Sequence, residues 1–143
     1  MSCLTLETDN RSDILEAIAG DRWIVACLCA AWCDVCRQYR PSFEELAARH
    51  PDKQFLWIDV EDQADVVGEL DVENFPTILI QRDDVVAFYG TMLPEARQLH
   101  RLIDAQAERS ADELSAEAQS SSERRQWQDD CNLRSLLADS LEA

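Results

Sequence analysis

Glycine and proline are scarce in this chain: three glycines and four prolines in 143 residues leave little room for long flexible linkers. Cations are also in short supply. Lys and Arg total 13 against 29 Asp and Glu, a formal net charge of −16. Nucleic acids and anionic membrane surfaces are bound through basic patches, so no nucleic acid and no membrane is expected as a partner. The acidity serves solubility first, with a basic partner as the other reading. No apolar run approaches the roughly 18 residues of a membrane span. The first twenty residues, with Glu7, Asp9, Arg11, Asp13 and Glu16, hold no stretch of signal-peptide type. A cytoplasmic location is the expectation. There is no internal repeat, and neither His50 nor His100 has a cysteine partner at catalytic spacing. His50 falls at the end of a helical stretch, where a cation is favoured and a structural role suffices.

What is present is length for one domain with a real core, 46% apolar residues and six cysteines. In a reducing cytosol such cysteines are expected to be free, catalytic or metal-bound, not a structural disulfide framework. The most informative segment is Trp32-Cys33-Asp34-Val35-Cys36. An apolar stretch, Trp23 to Ala31, runs into it, and a helical pattern (Val35, Tyr39, Phe43, Leu46, Ala47) runs out of it. A dithiol at a strand-to-helix junction has a physical purpose. The unpaired amides of a helix's first turn carry partial positive charge and stabilise a thiolate there. That thiolate attacks disulfides, and a second thiol one turn on resolves the mixed disulfide.

Around the motif the pattern alternates. A first helix carries Ile14, Leu15 and Ile18, capped by Asp9 or Ser12. Arg22 to Cys29 reads as a central strand covered on both faces, and residues 34–49 as a helix kinked at Pro41. Gln54 to Val60 is a second buried strand and Gln63 to Leu70 a short helix. Thr77 to Gln81 and Val85 to Tyr89 form a hairpin around Arg82-Asp83-Asp84. Pro94 opens another helix with Ala96, Leu99, Leu102 and Ile103 on one face. With an extra strand near Cys3 to Leu6, the order gives an α/β fold, a mixed central sheet flanked by helices.

Beyond residue 105 the composition turns Ala-, Glu- and Ser-rich, which divides the chain into residues 1–105 and an acidic helical extension, 106–143. Ser110-x-x-Glu113 and Ser120-x-x-Glu123 are capping-box patterns and predict two helices. The last carries Trp127, Cys131, Leu133, Leu136, Leu137 and Leu141. Three readings stay open: helices packed on the domain's own surface, a docking segment for a specific partner with Trp127 as anchor, or a disordered tail.

Trp-Cys-x-x-Cys after a buried strand, Pro41 five residues beyond the second cysteine, and Phe75-Pro76-Thr77 further on together resemble the thioredoxin family over roughly residues 5–105. The resemblance implies a thioredoxin-like fold and a thiol:disulfide oxidoreductase. In that reading Cys33 is the exposed nucleophile and Cys36 the buried resolving thiol. Pro76 follows a cis peptide bond, and Trp32, Phe75, Pro76 and Gly90 form the substrate-docking surface. It implies disulfide-containing protein substrates, a thiol reductase as electron donor, no organic cofactor and no metal.

The chain departs from the family between its cysteines, where Asp34-Val35 replaces Gly-Pro. A carboxylate beside Cys33 opposes the thiolate although it suits a helix's first turn. The buried acid that the family places under the resolving cysteine falls at Cys27, and the nearby lysine at Trp57. A neutral thiol is a poor base at pH 7, so Cys36 needs water or another group to take its proton. For Cys27 and Cys29 three readings compete. They fill the core as small hydrophobes, or Cys27 relays redox equivalents to Cys36, or they join Cys33 and Cys36 in a metal site, for which Cys-x-Cys is unusual spacing. Cys3 and Cys131 read as incidental surface thiols. A second function also stays open: an adaptor or chaperone of this fold with a vestigial redox pair and a partner bound through 106–143.

Overall fold

The computed structural model describes residues 3–20, 22–68, 70, 72 and 74–142. The chain runs β1 (Cys3–Thr5), α1 (Arg11–Ala17), β2 (Trp23–Cys29), α2 (Asp34–Arg49), β3 (Gln54–Asp59) and α3 (Ala64–Val67). It continues through β4 (Thr77–Arg82), β5 (Val85–Thr91), α4 (Ala96–Ala107), α5 (Ala111–Ala118), α6 (Ser122–Asp130) and α7 (Leu133–Glu142). The strands form one sheet in the order β1-β3-β2-β4-β5. β1, β3 and β2 are parallel to one another, whereas β4 runs antiparallel to both β2 and β5.

β2 lies at the centre and is buried along its whole length, as its continuous apolar sequence requires. Side chains alternate faces along a strand. Trp23, Val25, Cys27 and Cys29 therefore enter one core, with Cys36, Tyr39, Phe43, Leu46 and Ala47 of α2 and Leu99 and Ile103 of α4. Ile24, Ala26 and Leu28 enter the other, under Ile14 of α1, Val66 and Val67 of α3 and Leu133 and Leu137 of α7. This parity puts both strand cysteines on the side of the sheet that carries the motif helix.

Residues 106–142 are mostly helical and cover both faces. Leu114 of α5 joins the α2 side and Leu137 of α7 the α1 side. The disordered-tail reading is thereby corrected. Three helices stand where two were expected. The single apolar face read from Trp127 to Leu141 breaks at Asn132, whose side chain accepts from the Ser135 amide at 3.3 Å and so caps α7. Gln81, fully buried, donates to Asn132 Oδ1 at 2.8 Å and accepts from the Leu133 amide at 2.8 Å, which pins α7 to β4. Gln128 of α6 lies against β5: its amide group accepts from Val86 N at 2.8 Å and donates to Val86 O at 2.9 Å.

Cys131 is buried, not a surface thiol, and burial raises its pKa to about 12. Cys3 is half-buried in β1, and burial with the Glu44 charge raises it to about 11. The Ser110–Glu113 capping box forms as expected. In α6 the cap is Ser121, which accepts from the Arg124 amide, one residue beyond the Ser120 expected. α4 begins at Ala96 instead of Pro94, and the Gln63 to Leu70 helix shortens to Ala64–Val67. α1 starts after Asn10, not at an Asp9 or Ser12 cap; the Asn10 carboxamide is turned back to the Glu7 amide at 2.7 Å.

His50 closes α2, and its backbone amide donates to Ala47 O. Its Nε2 lies 2.9 Å from Nδ1 of His100, whose Nε2 is 3.2 Å from Asp104. The cation expected at this helix end is not favoured: burial, then the charges of Lys53 and His100, hold the His50 pKa below its usual value against Asp104 and Asp52. Unfolded chains take up the proton near pH 6.5 while the folded chain resists it, so stability is lost as pH falls below that value. Urea midpoints at pH 7.5 and 5.5 are expected to differ less in a His50→Gln variant than in the wild type. An equal drop in both would assign the acid sensitivity elsewhere.

Candidate functional site

The motif sits where β2 hands over to α2. Cys33 is the N-cap of α2, with extended backbone (φ −84°, ψ 115°), and its amide donates to Ala30 O at 3.0 Å. No side chain caps the helix here, so the amides of the first turn are left without an intrahelical or capping partner at the Cys33 end. Cys33 is half-buried and Cys36, three residues on, is 1% exposed. One thiol is within reach of a partner; the other is not.

Trp32 is 62% exposed, and its ring meets Phe75 edge-on at 5.6 Å. Phe75–Pro76 is a cis peptide bond. The aromatic contact joins the start of α2 to the loop that enters β4. Pro76 O accepts from the Met92 amide at 3.2 Å, and Gly90 pairs with Ile78 in the β4–β5 ladder. The expected docking residues Trp32, Phe75, Pro76 and Gly90 thus fall on the motif side of three adjoining elements.

Asp34 and Val35 are both exposed. The Asp34 carboxylate pairs with Arg37 one turn on, and Arg37 also donates to Ala31 O at 2.9 Å. The guanidinium offsets part of the negative field that Asp34 would exert on Cys33. The pair is open to solvent, so the effect is small.

Beneath the motif, Cys27 is fully buried and burial drives its pKa far above the ordinary thiol range. In the protonated form it is a poor proton acceptor. Trp57 is buried beside it in the β2–β3 register, with the Arg40 guanidinium 5.0 Å from its ring centre. A cavity of about 220 Å³ has Cys36, Arg37, Arg40, Trp57, Asp59 and Asp62 in its wall. It is large enough for several waters and lies beside Cys36.

The role of Asp59 and the bonding partner of Cys29 do not show in the sequence pattern. Asp59, at the end of β3, accepts from the amides of Ala31 at 2.9 Å, Glu61 at 2.9 Å and Asp62 at 3.0 Å. It fixes the loop that leads into the motif. Its register opposite Cys29 would have shown this, once the strand pairing was known. The second case is Cys29. Cys36 forms a disulfide with Cys29, Cα–Cα 5.9 Å, and Cys33 is a free thiol. The pairing of Cys33 with Cys36 that the spacing suggested is therefore not the one in this structure, and Cys29 is not a simple core filler. Its position two residues after Cys27 turns it toward α2, directly under Cys36. Cys27 Sγ lies 3.6 Å from Cys29 Sγ.

Two of the four sulfurs, those of Cys29 and Cys36, are joined in the disulfide. His50, His100 and Asp104 hold ligand atoms within 4.8 Å of one another, but the two imidazoles spend a nitrogen each on their mutual hydrogen bond. Among the described residues no helix is long and apolar enough to cross a membrane.

A thioredoxin family model matches residues 3–115. This chain belongs to the thioredoxin family. An H-type thioredoxin of Picea mariana is 40% identical over 73 residues, 51% of this chain and 58% of that protein, so the chain spans less than two thirds of that relative. A poplar thioredoxin h superposes with a TM-score of 0.67 at 24% identity, covering 77% of this chain and all of that one. A thioredoxin f2 crystallised in complex with ferredoxin:thioredoxin reductase gives a TM-score of 0.63 at 26% identity, over 74% of this chain and 96% of that one. α6 and α7 lie beyond the part that the family model spans.

Proposed function

We propose that this thioredoxin-family chain reduces or exchanges protein disulfides, with Cys33 as the attacking sulfur and Cys36 as the resolving one. The observation that supports this most directly is the Cys33 sulfur at the open end of α2, partly exposed beside Trp32 and Phe75, one turn from a buried Cys36. Cys33 thiolate attacks a substrate disulfide: a bond forms from Cys33 Sγ to one substrate sulfur, and the other leaves as a thiolate and is protonated. Cys36 then attacks Cys33 Sγ, its proton passing to water in the adjoining cavity, and the second substrate thiol departs. The substrate gains two electrons and the chain loses two.

Reducing equivalents return from a thiol reductase docking over Trp32 and Phe75, as the reductase complex of the thioredoxin f2 neighbour suggests by analogy. A cytoplasmic setting, where thiols are kept reduced, fits that cycle. Trp127, the anchor considered for a separate partner, is half-buried with its ring 6.1 Å from Phe88 and Arg124 over it at 5.0 Å. Its engagement within the chain favours a packing role for residues 106–143 over a docking one.

A Cys36→Ser variant tests the reading. Mixed with insulin, it is expected to accumulate a covalent adduct joined through Cys33, seen as an insulin-chain mass increment that dithiothreitol removes. Absence of the adduct, together with a wild type that leaves insulin oxidised, would refute the oxidoreductase and leave the adaptor.

A further inference from the structure

Three sulfurs converge on one turn of this fold, and only two are needed for the cycle above. Cys36 is bonded to Cys29 with a Cα–Cα distance of 5.9 Å, inside the usual disulfide range. Cys33 and Cys36 are the N-cap and third residue of α2, three apart on one helix face, where side chains are neighbours. Cys36 thus stands between Cys29 beneath it and Cys33 at the surface. Cys29 and Cys36 are each 1% exposed, whereas Cys33 is half-buried and free.

We propose that Cys29 is a third redox cysteine, and that the oxidised chain interconverts between a surface disulfide, Cys33–Cys36, and a buried one, Cys29–Cys36. The proposal rests on the oxidoreductase reading only for the origin of the first disulfide. In the exchange, Cys29 thiolate attacks Cys36 Sγ. The Cys29–Cys36 bond forms, the Cys33–Cys36 bond breaks, and Cys33 leaves as a thiolate that takes up the proton Cys29 gave to water. No electrons are gained or lost overall, so no further oxidant is needed. Cys27 Sγ lies 3.6 Å from Cys29 Sγ and is a free thiol in this structure.

The chemical result is an oxidised state with a reactive thiol still at the surface. A reductase needs a disulfide sulfur it can reach, and the buried pair offers none. The exposed Cys33 can still form a mixed disulfide, yet Cys36 is not available to resolve it. The chain would hold a disulfide-bearing partner captured on Cys33 instead of releasing it, until an external thiol attacks the mixed disulfide.

Disulfide mapping decides the matter. Residues 23–37 lie on one tryptic peptide that contains all four cysteines. The full chain and a Cys33→Ser variant are oxidised with diamide and the monomers labelled with light iodoacetamide. They are then reduced, labelled with heavy iodoacetamide and fragmented. In Cys33→Ser, heavy label is expected on Cys29 and Cys36 and light label on Cys27. In the wild type, part of the oxidised population is expected to carry light label on Cys33 with heavy label on Cys29 and Cys36. A free Cys36 in oxidised Cys33→Ser, or its pairing with Cys27, would overturn the proposal. So would a wild type protected at Cys33 and Cys36 alone. The altered side chain sits at a half-exposed cap, so folding is retained, and circular dichroism verifies it. The map needs no substrate, so its failure leaves insulin reduction by Cys33 and Cys36 untouched, and the converse holds.

Discussion

Replacing Cys33 by serine is expected to lower the rate of insulin reduction on the order of a thousandfold or more, to the level of the reductant alone. The reason is chemical. In the proposed cycle the sulfur at this position begins the reaction as a thiolate, and a serine hydroxyl at the same cap does not ionise near neutral pH. Ser is a good N-cap residue, so the helix gains no instability from the change, and the loss is in the reaction and not in the fold. Turbidity of the released insulin chains, followed with an excess of dithiothreitol, measures it. A Cys33→Ser protein that keeps more than about a tenth of the rate would mean that another sulfur attacks, contrary to the nucleophilic role assigned to Cys33. Trp32→Ala is the useful companion. Removing the exposed ring that meets Phe75 at 5.6 Å is expected to raise KM with the dithiol chemistry intact.

Truncating Phe43 to alanine is expected to destabilise the chain by about 3–5 kcal/mol. Phe43 is fully buried on α2, with ring centres of Phe55 at 5.2 Å, Trp57 at 5.6 Å and Tyr39 at 6.1 Å. The cost combines lost burial with a cavity among stiff aromatic neighbours that cannot collapse into it. Against a total stability of roughly 5–15 kcal/mol, it is a large share. The thermal midpoint is expected to fall by about 10–15 °C and the denaturant midpoint to drop with little change in slope. Phe43→Leu retains most of the volume and is expected to lose much less. A loss under about 1 kcal/mol for the alanine variant would show that the site relaxes freely. Because α2 also carries Cys33 and Cys36, the alanine variant is expected to blur the alignment of the two sulfurs before it unfolds.

The order of elements was legible because each has its own period. The apolar run of β2 starts after the charged pair Asp21-Arg22, α2 repeats its apolar face through Tyr39, Phe43 and Leu46, and Asp83-Asp84 turns the hairpin. Boundaries were less so. Pro94 favours a helix start, yet α4 begins at Ala96 after Glu95. Asn132 looked like one more polar residue inside a helix because its cap role depends on Gln81, fifty-one residues away. The motif cysteines were legible from spacing alone. The pairing of Cys29 was not, since its bond to Cys36 follows from its place beneath that residue, and tertiary contacts set that. The alternation that turns Cys27 and Cys29 to one face was readable; which of them meets the helix was not. Asp59 is the same kind of case, an ordinary strand-end acid until the Ala31 amide is brought to it.

The two outer strands of the sheet are treated differently. β1 is three residues long, too short to template much pairing. β5 is seven residues long, and an open ladder of that length invites a strand from another molecule. Gln128 answers this in miniature. Its carboxamide presents one acceptor and one donor to Val86 in the pattern of a single strand residue. The start of the edge is thereby already occupied when a second chain approaches. A chain whose α6 is removed or frayed is expected to lose that block and to associate edge to edge, so the helices after residue 105 protect the molecule from its own sheet.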